Sequence, residues 1–213
     1  MTSTLLRRTG AIAAVSLTLS FGLAACGNSD DAGSTSRTKD TTSATSGDTM
    51  ASDASTGTFG PGCKLIPADG AGSFNGMATA PVATAASANP LLKTLVTAVG
   101  KAGLVDTLNS ADALTVFAPT DDAFAKIPSD TLNGLLADKK MLTTVLTHHV
   151  VAGKLSPDQL AGTHKTLAGD TIKIDGSGED FTVAGANAKV LCGNIQTANA
   201  TVYLIDTVLM PTT

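Results

Sequence analysis

The sequence predicts an α+β domain in which helices pack on an antiparallel β-sheet. Apolar residues recur with helical spacing in the first part of the candidate domain, from about residue 89 to residue 148. After Gly153 the pattern changes to short β-branched and apolar segments separated by Gly, Asp and Asn, which is typical of strands connected by hairpins. Strands and helices do not alternate as in parallel βαβ units, so we expect no Rossmann-type nucleotide site.

The helices are predicted from caps and periodicity. Asn89 and Pro90 form an N-cap followed by proline at the first helical position. Gly103 offers a stop at the other end of the same apolar stripe. Further helices are predicted after residue 104, after Asp121 or Asp122, from residue 129 and over residues 139–148.

Strands are predicted where β-branched and apolar residues cluster between turn residues. Residues 114–118 form one such buried segment. In the last predicted strand, Val202 and Leu204 fall on one face. Tyr203 and Ile205 fall on the other, so we expect this strand to be buried on both faces. The later strands are predicted at residues 166–168, 171–174, 181–183, 189–192 and 201–205.

The N-terminus has the three parts of a cleavable secretory signal peptide. Arg7 and Arg8 give it a positive start, residues 11–21 are apolar and uncharged, and small residues precede Cys26. The apolar run is shorter than the about 20 residues that a transmembrane helix needs. We therefore interpret residues 1–25 as the signal peptide of an exported protein.

The form of the cleavage site points to a lipid anchor. The sequence Leu-Ala-Ala-Cys that ends at Cys26 resembles the lipobox of bacterial lipoproteins. This resemblance implies that the Cys26 thiol receives a diacylglycerol, with acyl chains such as palmitate, and becomes the new N-terminus. The alternative is an ordinary secreted protein in which Cys26 has no special role.

A tether is predicted between the anchor and the folded part. Residues 26–58 are mostly Ser, Thr, Asp, Gly and Ala, and Met50 is the single large apolar side chain among them. Such a segment buries too little apolar surface to offset its ordering entropy, so we expect a disordered linker. As a flexible coil it would reach roughly 30 Å. Residues 59–213 are then expected to form one folded domain.

The composition of this domain excludes several functions. It contains ten lysines, no arginine and thirteen acidic residues, which gives a net charge of −3. A negative domain without arginine lacks the basic footprint of a nucleic-acid binder and the bidentate donors that favour phosphate. Nucleic-acid binding is therefore not expected.

Cys63 and Cys192 are the two cysteines of the predicted domain. Export would place them in an oxidising compartment, where one disulfide between them would persist. Two buried thiols are the alternative. The spacing of these cysteines and of the three histidines fits no metal-ligand pattern, so we expect neither a metal nor a cofactor.

Signals for catalysis are weak. Residues 72–76 do not have the spacing of a nucleophile elbow, and Glu179 lies in a predicted hairpin turn. His148 and His149 stand near capping aspartates and could in principle form an acid–base pair. Adjacent residues at a helix end point in different directions, however, so we expect one histidine to be packed and the other solvated. The domain is therefore predicted not to be an enzyme.

Three segments resemble the conserved boxes of the fasciclin (FAS1) domain family. They are residues 115–128 (the first box), residues 146–153 (the histidine box) and residues 199–211 (the second box). This resemblance implies a fold in which helices pack on an antiparallel β-sandwich or wedge. The histidine box departs from the family pattern, because its usual Tyr-His pair is His148-His149 here. Residues 60–63 and a Cys63–Cys192 pairing are similar to those of the secreted and lipid-anchored fasciclin antigens of mycobacteria.

The resemblance also carries expectations about function. Fasciclin domains mediate cell adhesion and bind matrix proteins or polysaccharides, so we expect a non-catalytic interaction module on the outer face of the cell membrane. Its partner would be an extracellular protein or glycan, and His148 and His149 are candidate contacts. We expect a monomer held at the membrane by its lipid. The alternative function is binding of an apolar small molecule or an envelope lipid in a cleft between helices and sheet.

Overall fold

The structure is a computed structural model that describes residues 54–211. The predicted signal peptide, Cys26 and most of the predicted linker lie outside the described residues. The last linker residues contact the domain: the side-chain amide of Asn194 donates to the carbonyl oxygen of Gly57 at 3.0 Å. The folded part therefore includes a few residues before position 59.

Helices dominate the first half of the described chain, after a short 3-10 helix at Pro61–Leu65. Within residues 54–211, no helix combines the length and the apolar character needed to cross a membrane. The α-helices are α1 (Phe74–Ala78), α2 (Val82–Ala88), α3 (Lys93–Ala102), α4 (Val105–Ser110), α5 (Asp121–Ala125), α6 (Ser129–Ala137), α7 (Lys139–His148) and α8 (Pro157–Leu160).

The predicted start of α3 was wrong, and a distant cap explains the difference. The side chain of Asn89 accepts from the backbone N–H of Leu91 and shapes a turn before the helix. The helix itself begins at Lys93, and the carboxylate of Asp121 accepts from the N–H of Thr94 at 2.7 Å. The first turn of α3 is thus satisfied from another part of the chain. Its predicted stop is confirmed, because Gly103 has a φ of 75°.

The strands form a seven-stranded sheet with the order β2-β1-β7-β6-β5-β4-β3. Neighbouring strands are antiparallel except for β1 and β7, which run parallel in a register from Leu114 opposite Ala200 to Pro119 opposite Ile205. The strands are β1 (Leu114–Pro119), β2 (Val150–Ala152), β3 (Gly162–Lys165), β4 (Thr171–Ser177), β5 (Asp180–Val183), β6 (Ala188–Gln196) and β7 (Ala200–Ile205).

The expected antiparallel sandwich therefore needs correction. The sheet is mixed, and its two edges approach each other because Val151 of β2 forms a bridge with Thr166, just after β3. The backbone N–H of Leu167 also donates to the carbonyl oxygen of Val150 at 2.8 Å. The sheet is consequently nearly closed, like a barrel. The strand predicted at residues 166–168 lies earlier, at Gly162–Lys165; Thr166 forms only the single bridge, and residues 167–168 begin the turn before β4.

The core has two parts, one on each face of β7. Val202 and Leu204 pack with apolar side chains from the helices. Tyr203 and Ile205 pack with residues of the other strands, and the ring of Phe117 stacks on Tyr203 with their centroids 5.8 Å apart. All six residues of β7 are buried. The prediction that this strand is buried on both faces is confirmed.

Asn199, at the start of the second box, connects β7 to two helices. Its side-chain oxygen accepts from the N–H of Val82 at the start of α2, at 2.8 Å. Its amide nitrogen donates to the carbonyl oxygens of Leu108 and Ala111, each also at 2.8 Å. These contacts satisfy backbone groups at two helix ends and hold the helices at the edge of the sheet.

The second box ends in a similar contact. The carboxylate of Asp206 accepts from the N–H of Lys189 at 2.8 Å and from the ammonium of Lys126 at 3.1 Å. Lys126 belongs to the first box, so this contact joins the first box to the second.

A disulfide joins Cys63 to Cys192, as expected from the sequence, with the two Cα atoms 4.8 Å apart. It connects the short helix at Pro61–Leu65 to β6. The bond encloses a sequence separation of 129 residues, most of the folded domain. A closure of this length strongly restricts the unfolded chain.

We predict that replacing both cysteines, Cys63→Ser with Cys192→Ser, lowers the free energy of unfolding by up to about 4–5 kcal/mol, because the unfolded chain regains its freedom. Urea unfolding of the two proteins measures this difference. Wild-type protein treated with a reductant should match the double variant. Equal unfolding midpoints for the wild type and the variant would show that the bond does not stabilise the domain.

Candidate functional site

The candidate site lies at the C-terminal end of α7, where the chain turns into β2. Two histidines stand there side by side, with perpendicular rings whose centroids are 6.4 Å apart. Both are buried, since His148 is 7% exposed and His149 is 2% exposed. The expectation that one of them is solvated was wrong, because neighbouring segments cover both rings.

His149 is held by hydrogen bonds at both ring nitrogens. Its Nδ1 lies 2.8 Å from the carbonyl oxygen of Val145, and its Nε2 lies 2.9 Å from the backbone nitrogen of Leu209. Because the N–H of Leu209 can only donate, Nε2 must accept, and the ring hydrogen must be on Nδ1. This arrangement requires the neutral ring. Burial, opposed by the bond to Val145 and assisted by the neighbouring His148, lowers the pKa of His149 to about 4.

His148 instead contacts a carboxylate. Its Nδ1 lies 2.6 Å from Oδ2 of Asp170, in the turn between β3 and β4. The hydroxyl of Thr166 donates to the other carboxylate oxygen. Burial raises the pKa of Asp170, but the hydrogen bond from Thr166 and the close contact with His148 outweigh burial, so this pKa lies below its usual value. The contact ties the end of α7 to the turn before β4.

His148 also forms part of the wall of an open cleft of about 620 Å³. One side of the cleft is β4, with Thr171 and Lys173, and another is the turn between β5 and β6. The segment after β7 forms the third side, and its Met210 is 44% exposed to solvent. The cleft thus combines polar side chains with an exposed apolar residue, a combination suited to contact with another molecule.

The structure places the two candidate histidines side by side and adds Asp170 and Thr166 to the site. His148 and His149 face different surroundings, and contact of either with a ligand stays a prediction. Asp170 and Thr166 were missed, because nothing in the sequence indicates that the turn after β3 returns to α7. Within residues 54–211, no group of three or more His, Cys, Asp or Glu side chains is placed to hold a metal ion.

The fold and the three boxes define a class of protein. Residues 90–211, which contain all three boxes, match the fasciclin domain family. The chain belongs to this family.

Its relatives include two proteins of Mycobacterium tuberculosis. The chain is 50% identical over 161 residues to the "Cell surface glycolipoprotein MPT83", covering 72% of each chain. It is 48% identical over 160 residues to the "Immunogenic protein MPT70", covering 71% of this chain and 81% of the relative.

A solved structure, a FAS1 domain pair from the insect cell adhesion molecule fasciclin I, shares 24% identity. The likeness has a TM-score of 0.45 and covers 57% of this chain and 45% of that one.

The neutral state of His149 predicts a pH dependence of stability. The ring binds a proton near pH 4 in the folded state and near its ordinary pKa of 6.5 when unfolded. Between these values the unfolded chain binds more protons, so stability falls as the pH is lowered, by about 3 kcal/mol in total. Urea unfolding between about pH 7 and pH 4 measures this loss.

Two histidine variants test whether His149 causes this pH dependence of stability. His149→Gln should be less stable near neutral pH and should lose less stability on acidification. His164→Gln is the matched control, since His164 hydrogen-bonds the carbonyl oxygen of Leu160 and is only partly buried. It should retain the wild-type slope. A wild-type slope in His149→Gln would remove His149 as the cause.

Proposed function

We propose that the chain is a lipid-anchored cell-surface protein whose fasciclin domain is a non-catalytic adhesion and interaction module. The observation that carries this proposal is the 50% identity to a relative named a cell surface glycolipoprotein. The matched length of 161 residues is close to that of the folded domain. The domain in this proposal acts by binding and has no catalytic step.

The anchor in this proposal is a lipid on Cys26. The signal peptide and lipobox pattern of residues 1–26 support it, and so does the lipoprotein name of the relative. Two acyl chains are sufficient for stable attachment, since each buried methylene contributes about 0.8 kcal/mol. The linker then holds the domain roughly 30 Å from the membrane, and its Ser and Thr hydroxyls offer sites for glycosylation.

The proposed contact surface is the cleft beside His148. The imidazole replaces the tyrosine that the family pattern has at this position, and Asp170 holds it in place. Met210 supplies exposed apolar surface at the same cleft, while Thr171 and Lys173 supply hydrogen-bond donors. An open cleft of mixed chemistry suits a protein loop or a glycan. The proposed ligand is therefore an extracellular protein or a glycan.

We predict that Cys26→Ala removes the anchor. In a bacterial host that processes lipoproteins, this variant should be released into the medium or remain an unprocessed precursor, and its mass should lack acyl chains. Cys63→Ser is the matched control, since it also removes one thiol but leaves the lipobox intact. It should stay in the membrane fraction. A lipid mass and membrane retention in Cys26→Ala would refute the anchor.

We predict that Met210→Ser weakens ligand binding by about tenfold, because it removes the apolar contact in the cleft. Binding of the full chain carrying Cys26→Ala to immobilised matrix proteins and cell-wall polysaccharide measures the effect. Met141→Ser is the matched control, because Met141 is also exposed but lies on α7 and does not line the cleft. Saturable binding that both variants retain would exclude the cleft, and absence of saturable binding to either material would contradict the proposed function.

A further inference from the structure

A second cavity lies on the helical side of the sheet. It has a volume of about 70 Å³ and is enclosed by α2, α3, α4 and α7 above β1 and β2. Aliphatic side chains line it, among them Val99 of α3, Leu108 of α4 and Leu146 of α7. None of the residues described on its wall is charged. The cavity therefore offers a ligand mainly hydrocarbon contacts.

Three polar side chains line the cavity: His149, Thr147 and Thr107. Thr107 is an exposed residue of α4, and the other two already have partners. Both ring nitrogens of His149 have partners within the domain. The hydroxyl of Thr147 donates to the carbonyl oxygen of Thr143 at 2.8 Å. Water in such a cavity would lack the two or more polar partners that ordered water needs, so an apolar occupant is favoured over water.

The exposed part of the cavity wall, which we call its mouth, is largely apolar. Val105 is 38% exposed and Leu167 is 45% exposed, and both line the cavity. Val105 begins α4, while Leu167 lies in the turn between β3 and β4, so the two side chains come from different parts of the fold. Together they extend the hydrocarbon surface from the interior to the solvent. A ligand seated inside could continue over them.

The volume of the cavity limits the size of the ligand that it can hold. The volume of about 70 Å³ is about half that of an engineered apolar cavity of ~150 Å³ that binds benzene. An aromatic ring or a sterol is therefore too large, whereas a few methylenes and a methyl group fit. A longer chain can continue over the exposed side chain of Val105 or Leu167 and leave its polar end in water.

We propose that this cavity binds the methyl end of the acyl chain of a free fatty acid. The site is distinct from the cleft beside His148 and does not depend on adhesion. Binding requires no covalent step and no charged partner in the cavity. Its energy comes from the hydrocarbon surface removed from water, so affinity should rise with chain length until the chain passes the apolar mouth.

Methyl NMR of the full chain carrying Cys26→Ser provides the test, because this chain cannot fill the cavity with its own anchor. Dodecanoate, titrated below its micelle concentration, should shift the methyl signals of Val99, Leu108 and Leu146 saturably and with one-to-one stoichiometry. Butyrate carries the same carboxylate on a short chain and should not saturate. Unsaturable shifts, shifts confined to other methyl groups, or equal binding of butyrate would overturn the proposal.

Variants test the position of the chain. Ala86→Phe should fill the cavity and weaken dodecanoate binding at least about tenfold, while Ala125→Phe, an exposed position outside the cavity, should not change it. If Ala86→Phe does not fold, a variant at the exposed mouth of the cavity provides the test. Val105→Ser should weaken binding by about threefold to tenfold. An unchanged affinity in Val105→Ser would rule out the proposed path of the chain.

Discussion

The parallel pairing of β1 with β7 is the constraint on which the rest of the structure depends. All six residues of each strand are buried, so their backbone N–H and C=O groups cannot use solvent and must find partners in the protein. An unpaired buried group costs about 1–3 kcal/mol, so a slip of the register would be expensive. This pairing also creates two cores, because side chains alternate between the helical face and the face formed by the other strands.

The histidine box is attached to this pair of strands. The carbonyl oxygen of His149 accepts from the N–H of Phe117 in β1 at 2.9 Å. The ring of the same residue accepts from the N–H of Leu209, which follows β7. One residue at the end of α7 is therefore bound to both the first and the second box. The three fasciclin-like segments are neighbours in space, and their polar and apolar side chains have structural roles before any functional one.

Local sequence patterns predicted helices and turns, but they did not predict which distant segments pair with each other. Residues 139–148 were predicted as a helix because their apolar side chains repeat with helical period, and α7 has these bounds. The turn at Glu179 followed from its neighbours, and Gly178, with a φ of 66°, occupies it with Glu179. The parallel register of β1 and β7 leaves no local signature. The same is true of the Asp121 cap on α3 and of the contact between His148 and Asp170, which join segments far apart in the chain.

The two adjacent histidines separate two kinds of environment. His149 borders the apolar cavity, and its neutral ring lets a polar side chain stand there without leaving an unpaired group. A proton on Nε2 would remove the acceptor for Leu209 and place a charge beside hydrocarbon, which is why its pKa falls. His148 borders the open cleft and is paired with a carboxylate. One helix end therefore supplies part of the wall of both spaces, and the chemistry of the two spaces stays distinct.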